Sequence, residues 1–158
     1  MPIDIFSCSQ TYQCHSKQTS DFVFQGGSSS LFCTAGHSTD GRNVALWDTL
    51  MPQKRGLVQG FTFHDSGASA VLYAPQHYRL VTAGKKGQIA VWDVRQNKQL
   101  HFFKAHDHPI KCLAIDPSEE FIVSGSVDGD IKVINFCILK VRCLKYVEAF
   151  GCIKQMIF

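Results

Sequence analysis

An all-β fold of about three similar four-stranded units is what this 158-residue sequence predicts, and three observations carry it. First, positions seven and nine beyond His15, His64 and His106 hold Phe22 and Phe24, Val71 and Tyr73, and Leu113 and Ile115. That apolar alternation is the period-2 pattern of a strand with one buried face. Second, sixteen residues beyond the same histidines stand Leu31, Leu80 and Ile122, each opening a run that ends in a glycine. Third, the following strand closes at Trp47-Asp48, Trp92-Asp93 and Ile134-Asn135; the tryptophans are 45 apart, and Trp92 and Ile134 are 42 apart. A period of roughly 40 to 45 residues with four strands per unit is that of a β-propeller blade.

Taken in order, residues 1–10 have no clear pattern and are left unassigned. The first unit, 11–59, opens with an outer strand and loop at 11–15, followed by an inner strand at 21–24. Strands at 31–35 and 44–47 come next, joined by the loop 36–43. Residues 48–59 carry Met51-Pro52 and Lys54-Arg55 and read as a surface excursion, because proline and paired cations do not belong in a central strand. The second unit, 60–103, has strands at 70–74 and 78–83, a third ending at Trp92-Asp93 after a Lys86-Gly87 turn, and an outer strand at 99–103. The third, 104–136, has strands at 111–115, 121–124 and 130–133, with Asp128-Gly129 as the tight turn between the last two.

Beyond Phe136 the pattern fails. Residues 137–158 contain no Gly, Pro or Asn before Gly151, and Ile138, Val141, Leu144, Val147, Phe150 and Ile157 fit one face of a helix weakened by β-branched residues. The tail is expected to be irregular or helical: a short amphipathic helix, or sequence foreign to the propeller such as an alternative transcript end. Four cations interrupt its 22 residues, which argues against a membrane span.

Composition narrows the functional classes. A net charge of +3, with lysines scattered along the chain, argues against nucleic acid as a partner. Seven cysteines are an odd count, no Asn-x-Ser/Thr acceptor occurs, and residues 1–30 lack an apolar signal-peptide core, so a reducing cytoplasmic setting is expected. Cys8 and Cys14 are six apart, as are Cys137 and Cys143, which is not zinc-ribbon spacing, and the repeat already accounts for His15 beside Cys14. Neither a metal nor another cofactor is expected.

His106, Ser124 and Asp128 contain the ingredients of a hydrolytic triad, and His64, Thr82 and Trp92 form a neighbouring set. The repeat places both sets between strands inside a blade, where buried polar groups must satisfy one another and substrate has no access. No Gly-x-Ser-x-Gly elbow or Gly-rich phosphate loop is present. A structural network, and not an enzyme, is therefore expected. The pattern resembles the His, Ser/Thr, Asp and Trp tetrad of WD-repeat blades. His64, Thr82 and Trp92 match it, with Lys86 in the acid's place; His106, Ser124 and Asp128 match it, with Ile134 replacing Trp; the first unit keeps His15 and Trp47, with Thr34 as the hydroxyl.

The likeness extends beyond the repeat class. HSKQTSDFVF at 15–24, TAGHSTDGRNVALWDTL at 34–50, residues 60–64 with Gly67-Ala68 and Tyr73-Ala74-Pro75, residues 103–106 and GDIKV at 129–133 resemble the carboxy-terminal propeller of the DmX-like proteins, or rabconnectins. The long loop with Arg42-Asn43 is its most specific part, and the resemblance covers about residues 14–135. It implies a fragment of a very large cytoplasmic scaffold, peripherally associated with vesicle or endosome membranes. That scaffold takes part in assembly and regulation of the vacuolar proton-pumping ATPase, with ATPase subunits and Rab regulators as partners. The alternative is a generic WD-repeat interaction module of another complex, such as a ubiquitin-ligase substrate adaptor.

About three blades are too few to close a ring of four to eight, so an open arc is expected whose further partners include the remaining blades of a parent propeller. Candidate recognition residues are the cations on extended loops and turns: Arg42, Lys54, Arg55, Lys85 and Lys86.

Overall fold

The computed structural model describes residues 8–27, 29–136 and 140–142. Among the described residues, twelve strands form three antiparallel sheets of four. The first blade contains β1 (Gln18–Phe24), β2 (Leu31–His37), β3 (Val44–Asp48) and β4 (Leu57–Phe61). The second contains β5 (Ala68–Ala74), β6 (Arg79–Gly84), β7 (Gln88–Asp93) and β8 (Lys98–Lys104). The third contains β9 (Ile110–Ile115), β10 (Phe121–Ser126), β11 (Ile131–Asn135) and β12 (Lys140–Arg142). Spatial order follows chain order in every sheet. The inner strands are neighbours, β1 beside β5 and β5 beside β9, so the blades stack in sequence as an open arc.

The cores lie between blades because each strand sends alternate residues to opposite faces. Val44 and Leu46 of β3 pack with Val71, Leu80 and Trp92 of the second blade. Leu72, Val81, Ile89 and Val91 pack in turn against Ile110, Ile122 and Ile134 of the third. The opposite face of β3, Ala45 and Trp47, joins Cys14, Tyr12 and Phe32 in a small cluster on the outer flank of the first blade.

Polar groups also tie the blades together. Asp21 accepts from the Val71 amide at 3.0 Å across the first interface. At the second, the buried Glu119 carboxylate accepts from the amides of Gln76 (2.9 Å) and His77 (3.2 Å) and meets the His77 ring at 2.8 Å. Glu119 holds a φ of 57° there, in the left-handed region that side chains other than glycine seldom adopt.

Three segments depart from the sequence reading. Residues 11–15 form no strand, since no neighbouring strand among the described residues offers them a ladder. Within 48–59, the Pro52-Lys54-Arg55 stretch is a surface turn with a short 3-10 helix, Gln53–Arg55, but the outer strand β4 begins at Leu57, inside the expected excursion. Lys140–Arg142, in the stretch where the pattern fails, pairs with Val133–Asn135 as a short fourth strand. Edge pairing needs only backbone groups, so it leaves no side-chain alternation to read. The irregular or helical tail expected at 137–158 lies, apart from Lys140–Arg142, outside the described residues, as do residues 1–7 of the unassigned segment 1–10.

Candidate interaction surfaces and the buried histidine networks

Each histidine sits in the connection before an inner strand and reaches a hydroxyl on the second strand of its own blade. His15 Nε2 lies 3.0 Å from Thr34 Oγ1, and Trp47 Nε1 donates to the same oxygen at 3.0 Å. His64 Nε2 lies 2.9 Å from Thr82 Oγ1, which also accepts from Trp92 Nε1 at 3.1 Å. His106 Nε2 lies 2.8 Å from Ser124 Oγ, and Ile134 fills the tryptophan's place with no donor to offer. All three histidines and their hydroxyl partners are buried.

The second ring nitrogen distinguishes the blades. His15 Nδ1 is 3.2 Å from the Arg42 carbonyl and 3.2 Å from Ser38 Oγ. A carbonyl only accepts, so neutral His15 carries its proton on Nδ1, and Nε2 accepts from the Thr34 hydroxyl. In His64 and His106, Nδ1 has no hydrogen-bond partner among the described residues. Lys86, at the acid position of the second blade, is surface-exposed and pairs with Asp65 at 3.9 Å. Burial holds all three histidines below the ordinary range, His64 down to about 4 from 6.5. All three are therefore neutral near pH 7.

Asp128 is a correction to the expected tetrad. It binds His108 Nδ1 at 2.9 Å and the Ser126 hydroxyl, at the surface, while His106 points into the blade. The reason is local: the Asp128-Gly129 turn lies beside the loop carrying His108, and a short carboxylate there meets the nearer imidazole. His106, Ser124 and Asp128 are accordingly not assembled as a relay.

Two kinds of partner in the networks escaped sequence reading. Tyr12 and Phe61 each stand three residues before a histidine, and each ring lies on the tryptophan of the following network: Tyr12 on Trp47 at 5.9 Å and Phe61 on Trp92 at 4.9 Å. Phe103 holds the same offset before His106 and packs in the cluster containing Ile134. The aromatic three places before each histidine was the available signal. The other partner is Asn43, fully buried, whose Nδ2 donates to the His64 carbonyl at 2.8 Å and whose Oδ1 accepts from the Ser38 amide at 2.7 Å. It fixes the long loop of the first blade to the start of the second, where His64 holds a φ of 62°.

The five candidate surface cations fall in separate places. Arg42 and Lys54 border one cleft of about 330 Å³ with Trp47 and Leu57, on the outer flank of the first blade, and Arg42 pairs with Asp40 at 3.6 Å. Arg55 is exposed at the end of the 3-10 turn. Lys85 lines a different cleft, of about 400 Å³, at the starts of the inner strands, and Lys86 lies outside it with Asp65. A third cleft, of about 520 Å³, is bounded by Tyr12, Cys14, Phe22, Phe24 and Phe32 on the flank of the first blade that faces away from the second. No helix among the described residues is long and apolar enough to cross a membrane, and no group of three potential metal ligands occurs among them.

Comparison with known proteins bears on this geometry. The WD domain, G-beta repeat family matches residues 55–93 and 97–135. DmX-like protein 1 of Mus musculus is 51% identical over 122 residues, covering 77% of this chain and 4% of that protein. The Homo sapiens protein of the same name is 52% identical over 123 residues, 78% of this chain and 4% of its own length. Cilia- and flagella-associated protein 52 of Macaca fascicularis is 24% identical over 118 residues, 73% of this chain and 18% of that protein. The chain thus spans about 4% of the length of the DmX-like relatives it matches.

Proposed function

Because the chain belongs to the DmX-like family of WD-repeat proteins, we propose that it is a non-catalytic piece of an interaction scaffold serving assembly and regulation of the vacuolar proton-pumping ATPase, and hence vesicle acidification. The observation that carries the reading is its likeness to DmX-like protein 1 across most of its length. WD-repeat domains mediate protein–protein interaction, and a stack of blades with buried polar networks is a rigid carrier for loops that recognise partners. Its partners are then ATPase subunits and Rab regulators, met on the cytoplasmic side of vesicles or endosomes, together with the remaining blades of a parent propeller.

Affinity purification of the tagged chain from cells, with an unrelated WD-repeat protein as control, tests the reading. Enrichment of ATPase subunits over the control is the expected result. Recovery of cullin-type ligase components without ATPase subunits would replace it with the substrate-adaptor alternative.

A further inference from the structure

We propose that the cleft where the three inner strands begin binds an acidic peptide segment of a partner protein, held by Lys85 and Lys111. This deepens the interaction-scaffold reading and rests on it. All three blades build the cleft: the first contributes Thr19 and Ser20, the second Lys85, the third Lys111 with Pro109 and Val127. The cleft therefore exists only while the blades are stacked.

Its charge is one-sided. No aspartate or glutamate lines it among the described residues. Of the acids on neighbouring loops, Asp65 pairs with Lys86, Asp107 with Lys104 and Asp128 with His108, while exposed Asp130 lies outside the lining. Lys85 and Lys111 have no ion-pair partner among the described residues, although Lys85 is half-buried. Two unneutralised ammonium groups in a concavity concentrate positive potential, and the exposed hydroxyls of Thr19 and Ser20 add donors suited to carboxylate oxygens.

The same lining selects among anions. Among the described residues it holds no aromatic side chain on which a nucleobase could stack, which disfavours a nucleic acid strand. At its edge Val127 is 47% exposed beside Pro109, an apolar patch adjoining Lys111. Acidic residues next to an aliphatic one complement both parts, and a peptide presents that combination in one segment.

The test is fluorescence polarisation of the 158-residue chain with a labelled peptide of alternating glutamate and serine around a central leucine, and with its glutamine counterpart. The glutamate peptide is expected to bind, to weaken as salt rises, and to bind about tenfold more tightly than the glutamine peptide. The double variant Lys85→Gln/Lys111→Gln should lose about tenfold in affinity, Lys85→Arg/Lys111→Arg should retain it, and Lys98→Gln on the outer strand should leave it unchanged. Absence of binding, equal binding of the two peptides, or full affinity in the double glutamine variant would overturn the proposal. A chain that still recovers ATPase subunits from cells while giving any of those results refutes the cleft and leaves the scaffold reading standing.

Discussion

Phe22 and Val71 occupy the same place in successive blades, each seven residues beyond its histidine, yet Phe22 is 64% exposed and Val71 is 5% exposed. The first blade covers Val71, and nothing among the described residues covers Phe22. Phe24 and Tyr73 repeat the relationship: Phe24 is 51% exposed, whereas Tyr73 packs into the interface. The first blade thus presents the kind of face that its neighbours bury. Phe22→Gln combined with Phe24→Gln should raise solubility and reduce binding of an apolar dye. The unfolding free energy should stay within about 0.5 kcal/mol, as for surface substitutions generally.

The Thr82 hydroxyl serves two buried groups, the His64 ring and the Trp92 indole. Thr82→Val keeps the shape and removes both bonds, leaving two buried polar groups unpaired. A loss of about 2 to 4 kcal/mol is expected in urea unfolding, while Thr82→Ser should recover most of it.

The third blade separates the expected network from the observed one. Ser124→Ala removes the partner of buried His106 and should cost about 1 to 3 kcal/mol. Asp128→Asn touches only the surface contact with His108 and the Ser126 hydroxyl, so its melting temperature should match that of the parent chain. Equal destabilisation by the two would place Asp128 in the His106 network after all.

Acid should weaken the fold through its histidines. His64 titrates near 6.5 when unfolded and at about 4 when folded, so between those values the unfolded chain binds more protons. Its contribution to stability is full above about pH 6.5 and is lost as pH falls through about 4, amounting to about 3 kcal/mol. Burial of His15 and His106 acts in the same direction. Unfolding free energies measured in urea from about pH 7 down to about pH 4.5 should fall steadily; a flat profile would mean the rings are solvated.

Much of this was legible because a repeat writes the same physics three times. The offsets from His15, His64 and His106 located the inner and second strands, since a strand's two-residue period and a fixed turn length leave little freedom, whereas the hydroxyls were named by resemblance to the WD-repeat tetrad. Asp128 was misplaced because adjacent imidazoles, His106 and His108, look alike in sequence, and only the fold decides which faces the turn. The clamp of Glu119 on Gln76 and His77 joins residues more than 40 positions apart through backbone amides, which carry no sequence signature. The cleft of Lys85 and Lys111 was equally hidden, because it is assembled from three blades.

Sedimentation velocity of the purified chain over a wide concentration range measures most directly whether three stacked blades leave the arc open. Growth of larger species with concentration, diminished by the Phe22→Gln/Phe24→Gln variant, is the expected result. A single monomeric boundary at every concentration, together with one cooperative thermal transition, would contradict it.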